Sequence, residues 1–170
     1  MADRPVVNIA DVALTENRHG ERFLARLGRI GAAIGLTGLG CTLHVVLPGK
    51  RAYRLASAPF PSTPTTSPTS SSSFFRARAS TASGPRPLRC GPGDLLGAPA
   101  GKRAHQLVNT GTEDLRYLAI SSKSTVDVVE YPDSGKFAVA AGVRNGDFRT
   151  ASFAHIARSG GSLDYWEGES

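Results

Sequence analysis

Between Arg51 and Cys90 the chain has no histidine, aspartate or glutamate, although these residues occur throughout the rest of its 170 positions. Cysteine is scarce as well: only Cys41 and Cys90 are present. They offer neither a C-x-x-C metal-ligand spacing nor a disulfide framework, so both are expected to be free thiols. No apolar run approaches membrane-spanning length, and the N-terminal M-A-D-R-P-V-V-N-I lacks an apolar signal core. These absences argue against a membrane partner and predict a cytoplasmic protein. Aromatic residues make up 7% of the chain, too few to supply base-stacking platforms beside the basic residues.

The formal charge of +6 resides in the same anomalous stretch, which holds six arginines; the other 14 basic residues balance the chain's 14 acidic ones. Only Phe74 and Phe75 lie near those arginines. A nucleic-acid surface needs its basic residues gathered on one face of a fold, so nucleic acid is excluded as a partner. The stretch from Ser62 to Ser80, S-T-P-T-T-S-P-T-S-S-S-S-F-F-R-A-R-A-S, has the composition of a linker or long loop, with little apolar surface to offset the entropy of ordering it.

Outside that segment the pattern is β-rich. A hydrophobic content of 40% over 170 residues suits a single domain, 1–170, with its own core. Phe23, Leu27, Ile30 and Ile34 have helical spacing, yet Gly28, Gly31 and Gly35 suit bends between short strands, which leaves helix and strand both open there. Cys41 to Leu47 is a β-rich run closed by Pro48-Gly49, a strand and its turn. H-Q-L-V-N, T-G-T-E-D and L-R-Y-L-A-I-S predict strand, turn and strand, a β-hairpin with Gly111 in the turn. Thr125 to Tyr131 adds a strand. Many short strands with Gly and Pro turns predict a β-sandwich or barrel.

The run G-D-L-L-G-A-P-A-G-K-R-A-H-Q-L-V-N, Gly93 to Asn109, resembles the second motif of the cupin superfamily, G-x5-P-x-G-x2-H-x3-N, with one extra residue between Gly101 and His105. The flanks V-L-P-G-K-R-A-Y, N-T-G-T-E-D-L-R-Y-L-A-I-S and D-Y-W-E-G-E are similar to small single-domain bacterial cupins. The resemblance implies an all-β, jelly-roll barrel (double-stranded β-helix), a small-molecule ligand, a homodimer as the allowed self-association, and a divalent transition metal (Mn, Fe, Ni or Zn). It assigns His105 as a metal ligand. Asp164, Tyr165 and Trp166 look like a tail motif, with Trp166 expected to pack the tail onto the barrel.

What the resemblance lacks is the first cupin motif, G-x5-H-x-H-x3,4-E-x6-G, which should follow Tyr53 and supply two His and one Glu. Residues 54–92 stand in its place. A reading frame starting at the third base of each codon restricts what this stretch can hide: Thr hides Tyr, His, Asn or Asp; Pro hides Ser, Pro, Thr or Ala; Phe hides an aliphatic residue or Phe. Ser62 through Ser80 then admit V-H-A-H-D-E-P-D-E-L-F-V-V-L-P-G-E-G-E. The histidines fall at Thr63 and Thr65, the glutamate at Ser70 and the glycine at Ala77, the family spacing. The code fixes a residue class at each position, and His is one member of its class. Two compensating frameshifts, one between about Tyr53 and Ser62 and one near Gly93, would produce the visible sequence.

As translated, one motif imidazole is too few for a transition-metal site of useful affinity, so metal is expected to be absent or weakly held. His44 reads as an ordinary strand histidine, and His19 and His155 as surface residues. Two function classes follow. One is an ancestrally metal-dependent enzyme of the dioxygenase, isomerase or decarboxylase kind; the other is a non-catalytic small-molecule binding or sensing barrel. Fold alone does not choose between them, and the catalytic residues and substrate are not legible. With the first motif scrambled, residues 54–89 are expected to be irregular, exposing the apolar faces of Leu43, Val45, Leu107 and Leu118.

Overall fold

A computed structural model describes residues 6–52, 56–57, 71–75, 79–81, 88–98, 105–131, 133–144, 148–158, 160–161 and 163–169. In chain order the strands are β1 (Thr15–His19), β2 (Phe23–Arg29), β3 (Leu39–Val46), β4 (Ala56–Ser57), β5 (Ser71–Phe75), β6 (Ala79–Thr81), β7 (Leu88–Cys90), β8 (Leu95–Ala98), β9 (Leu107–Asn109), β10 (Leu115–Ser122), β11 (Val126–Tyr131), β12 (Lys136–Ala141) and β13 (Phe153–Arg158). A one-turn helix, α1 (Ile30–Ala33), follows β2. The described strands form a six-stranded sheet, β1-β2-β3-β10-β5-β8, a four-stranded sheet, β13-β12-β11-β4, and a three-stranded sheet, β7-β6-β9. Their ladders are antiparallel and do not close into one continuous hydrogen-bonded ring among the described residues.

The ambiguous stretch after Phe23 resolves into strand and then helix. Phe23 to Arg29 is held between β1 and β3, and at Gly28 a side chain would run into Val12, whose segment crosses this face. The glycine therefore marks a close crossing rather than a bend. Gly35, at φ +74°, lies just beyond the helix in the left-handed region that glycine tolerates best.

The register gives the six-stranded sheet two distinct faces, because directly opposed residues point the same way. On one face Ala25, Val46 and Leu115 are aligned across β2, β3 and β10. They cluster with Ala52, Leu107 and Tyr117. On the other, Leu43 and Val45 cluster with Ile30, and Val7, Val12, Ile34 and Leu118 pack around them.

This arrangement corrects the expectation of exposed apolar faces. Leu43, Val45 and Leu107 are only 2%, 1% and 5% exposed, and Leu118 is half-buried. The N-terminal segment and α1 cover Leu43 and Val45, and the opposite cluster covers Leu107.

The expected irregularity of residues 54–89 is corrected in part. Ser71–Phe75 forms β5, bonded to β10 on one side and β8 on the other, and β6 pairs with both β7 and β9. A backbone ladder is indifferent to side-chain chemistry, so a serine run can complete it.

The expected hairpin is also corrected. β9 pairs with β6, whereas β10 pairs with β3 and β5. Buried Asn109 controls this corner: its Nδ2 donates to the carbonyls of Val46 and Glu113, each at 2.8 Å, and its Oδ1 accepts from the Gly111 N–H at 2.9 Å. The turn therefore carries the chain from one sheet to the next. The tail expectation fails too: Trp166 is 70% exposed and stacks edge-on against Tyr165 instead of the barrel.

Candidate functional site

The inner face of the six-stranded sheet changes character along its rows. The Ala25–Val46–Leu115 row is apolar, the next row is Leu27–His44–Tyr117, and the third is Arg29–Thr42–Ala119. Beyond the third row, Gly40 faces Ser121. A cavity of about 320 Å³ opens at this polar end, at the small end of the range for ligand pockets. His44, Arg29 and Thr42 line it from the sheet, Lys123 from the segment after β10, Asp127 from β11, and Cys41 from β3.

His44 and Tyr117 form the boundary between the apolar and polar zones. Their rings stack with centroids 4.8 Å apart and planes inclined at 24°, and the Tyr117 hydroxyl lies 3.2 Å from His44 Nδ1. Burial pushes the His44 imidazole down to about 4, so it is neutral at ordinary pH. Burial also raises the Tyr117 hydroxyl above its usual range and keeps it protonated. Where that hydroxyl donates to Nδ1, the ring proton sits on Nε2; where it accepts, the proton sits on Nδ1.

Burial raises the Asp127 carboxyl, partly countered by a hydrogen bond from the Val128 backbone. Tyr131 is raised by burial and by the Asp127 charge. Burial raises the Cys41 thiol, which disfavours the nucleophilic thiolate. Cys90, also a free thiol as expected, is raised by burial and then by Asp94.

His105 stands apart. It precedes β9, is half-buried, and has its imidazole held below the usual range by burial. A neutral imidazole is the form a metal would require. It is not among the described residues lining the cavity. Thr63, Thr65 and Ser70, and the motif residues Pro99 and Gly101, lie outside the described residues.

The residues present do not fit the metal that the fold implies. No group of three or more His, Cys, Asp or Glu capable of holding an ion occurs among the described residues. One half-buried imidazole, His105, is too few for a transition-metal site, which needs several imidazole, thiolate or carboxylate ligands. No chemical step is derived through a metal.

The cavity itself was missed by sequence reasoning. His44 read as a plain strand histidine, and the signal available was its place two residues before Val46 in an alternating strand, which puts both on one face.

Comparison with known structures bears on the fold. A sugar phosphate isomerase of the cupin superfamily from Silicibacter pomeroyi aligns with a TM-score of 0.73 at 18% identity, covering 95% of this chain and 98% of its own. A protein from Acidithiobacillus ferrooxidans, provisionally assigned as a sugar phosphate isomerase, aligns at 0.72 and 21%, covering 94% and 96%. A predicted oxalate decarboxylase from Thermotoga maritima aligns at 0.55 and 14%, covering 70% and 99%. No family profile and no curated protein matches the sequence.

The chain has a cupin-like fold, mostly β and of jelly-roll type. No helix among the described residues is long and apolar enough to cross a membrane.

Proposed function

We propose that this chain derives from a metal-dependent cupin acting on a small molecule, and that out-of-frame translation has replaced its first metal motif. What remains is a barrel that binds a small molecule without a complete metal site. The observation that carries this reading is β5. The run Ser71–Phe75 occupies an interior position, between β10 and the edge strand β8. At those same five positions the alternate frame reads L-F-V-V-L, a sequence with the strand propensity and apolar character that a barrel interior needs. The hidden H-x-H and E immediately precede it, at Thr63, Thr65 and Ser70.

In the restored frame, His105 and those three positions would hold a Mn, Fe, Ni or Zn ion, which would supply Lewis-acid or redox chemistry to an enzyme of the isomerase, decarboxylase or dioxygenase kind. The near full-length likeness to two proteins carrying the sugar phosphate isomerase name makes phosphorylated sugars the first class to test.

The experiment has two parts. The coding DNA is sequenced, and a chain with Ser62–Ser80 replaced by V-H-A-H-D-E-P-D-E-L-F-V-V-L-P-G-E-G-E, plus its in-frame continuation, is compared with the present chain for metal after dialysis against chelator. The repaired chain is expected to retain stoichiometric metal and bind it more than about a hundredfold tighter. His105→Ala should abolish that binding in the repaired background and change little in the present one. Equal metal content in the two backgrounds, or coding DNA in which no pair of single-base changes opens such a frame, overturns the reading.

A non-catalytic binding cupin is the second reading. The observation favouring it is that the described lining of the cavity includes His44 and leaves out His105.

A further inference from the structure

The polar end of the inner face has an uncommitted imidazole nitrogen. His44 Nδ1 is engaged by the Tyr117 hydroxyl, and the ring face is engaged by the Tyr117 ring. Nε2, the other polar atom of this enclosed imidazole, has no partner among the described residues, and the residue lines the cavity. A polar ring atom held away from solvent without a protein partner is costly, and the polar cavity beside it is where a partner would come from.

The character of that acceptor follows from the other walls. Arg29, at the end of β2, and Lys123, just after β10, bring two fixed positive charges to the lining. Lys123 Nζ is anchored by donating to the Leu36 carbonyl at 2.8 Å, which leaves two of its protons for another acceptor. The one described acidic residue in the lining is Asp127, which can accept from a hydroxyl. Thr42 and Ser121, on neighbouring strands, add hydroxyls to the lining. The set therefore carries more positive than negative charge and can both donate and accept.

We propose that this cavity binds a small polyol bearing one anionic group, a phosphate or a carboxylate, with His44 Nε2 donating to a ligand oxygen and Arg29 and Lys123 meeting its charge. The proposal rests on the small-molecule half of the reading above and is independent of the metal half. The volume of about 320 Å³ admits a ligand of monosaccharide scale and leaves little room for a nucleotide or an oligosaccharide.

The test uses the full chain labelled with ¹⁵N and long-range imidazole spectra, titrated separately with glucose 6-phosphate, gluconate, glucose and inorganic phosphate. In the free protein the His44 ring is expected to show the Nε2–H tautomer. Glucose 6-phosphate or gluconate should shift His44 saturably, at least about tenfold tighter than glucose or inorganic phosphate alone, and leave His19, His105 and His155 unmoved. A preference between the first two probes identifies the anionic group. Lys123→Gln and Arg29→Gln, each checked for a folded amide spectrum, should weaken binding by about tenfold.

An Nδ1–H tautomer overturns the donor role. Absence of a saturable His44 shift with both anionic polyols up to about 10 mM overturns the site. Shifts at His105 instead of His44 overturn the placement while leaving small-molecule binding intact. Equal affinity for glucose, or for inorganic phosphate, overturns the paired recognition of hydroxyls and charge.

Discussion

The two ends of one sheet face share strands, ladder and register but have opposite chemistry. At one end Ala25, Val46 and Leu115 meet across three strands and are sealed by Ala52 and Leu107. Two rows on, the same strands present Arg29 and Thr42 to a cavity. Strand pairing is a backbone property and treats both ends alike, so the difference lies entirely in which residues occupy alternate positions. The apolar end supplies the burial that holds the sheet together. The polar end gives up that burial and gains a chamber that can recognise something. His44 and Tyr117, in the row between, belong to both.

The largest contrast is expected from truncating each end in turn. Leu115 is fully buried at the centre of the apolar cluster. Leu115→Ala should lower unfolding stability by about 2 to 5 kcal/mol, from lost transfer energy and the cavity left behind. Thr42→Ala, at the polar end of the same face, removes a hydroxyl beside an existing cavity and should cost under about 1 kcal/mol. Urea denaturation of the two variants measures both. Similar losses for the two would show that the ends do not differ energetically as their burial suggests.

The apolar end was largely legible in the sequence. Cys41 to Leu47 was legible because β-branched and apolar residues run up to a Pro-Gly turn, and Leu115 to Ser121 because a second such run follows a polar turn. Thr125 to Tyr131 was legible for the same reason. The pairing was not, because a tight-looking T-G-T-E-D turn predicts a hairpin, whereas the three hydrogen bonds of Asn109 redirect the chain between sheets. Local sequence carries turn propensity but not the partner that a buried amide will find.

β5 was hidden for the opposite reason. Its serines lack strand character, and its place comes from the gap between β10 and β8. His105 could be singled out by a motif, whereas His44 could not, since its role arises from Tyr117, 73 residues away in the chain. The polar chamber is assembled from residues on β2, β3, β10, β11 and the segment between the last two, and no single stretch of sequence displays it.

A second contrast appears with pH. His44 has its folded-state value pushed down to about 4 by burial, while an unfolded chain titrates its histidines near 6.5. Between those values the unfolded state binds the extra proton, so stability must rise with pH across that window. The contribution is fully present above about pH 6.5 and is lost as pH falls through 4, amounting to roughly 3 kcal/mol. His105, also lowered by burial, should contribute in the same direction. Denaturant midpoints measured from pH 7 to pH 4 should therefore fall, and His44→Gln should flatten most of that slope. A slope unchanged in His44→Gln would assign the acid sensitivity elsewhere.

The smallest effect probes the boundary row itself. Tyr117→Phe keeps the ring that stacks on His44 and contributes to the apolar cluster, and it removes only the hydroxyl 3.2 Å from Nδ1. A neutral hydrogen bond of this kind contributes about 1 kcal/mol net, with the cost rising if the imidazole nitrogen is left buried without a partner. The cavity lies beside the ring, so His44 can instead turn Nδ1 toward solvent or exchange its tautomer, which keeps the expected loss near the lower figure. The informative readout is therefore the ring rather than the melting curve. In Tyr117→Phe the imidazole ¹⁵N shifts should show a mixture of tautomers in place of the single Nε2–H form expected with the hydroxyl present. A variant that retains one tautomer would mean that some other group orients His44, and the hydroxyl would then serve packing at the apolar end and not recognition at the polar one.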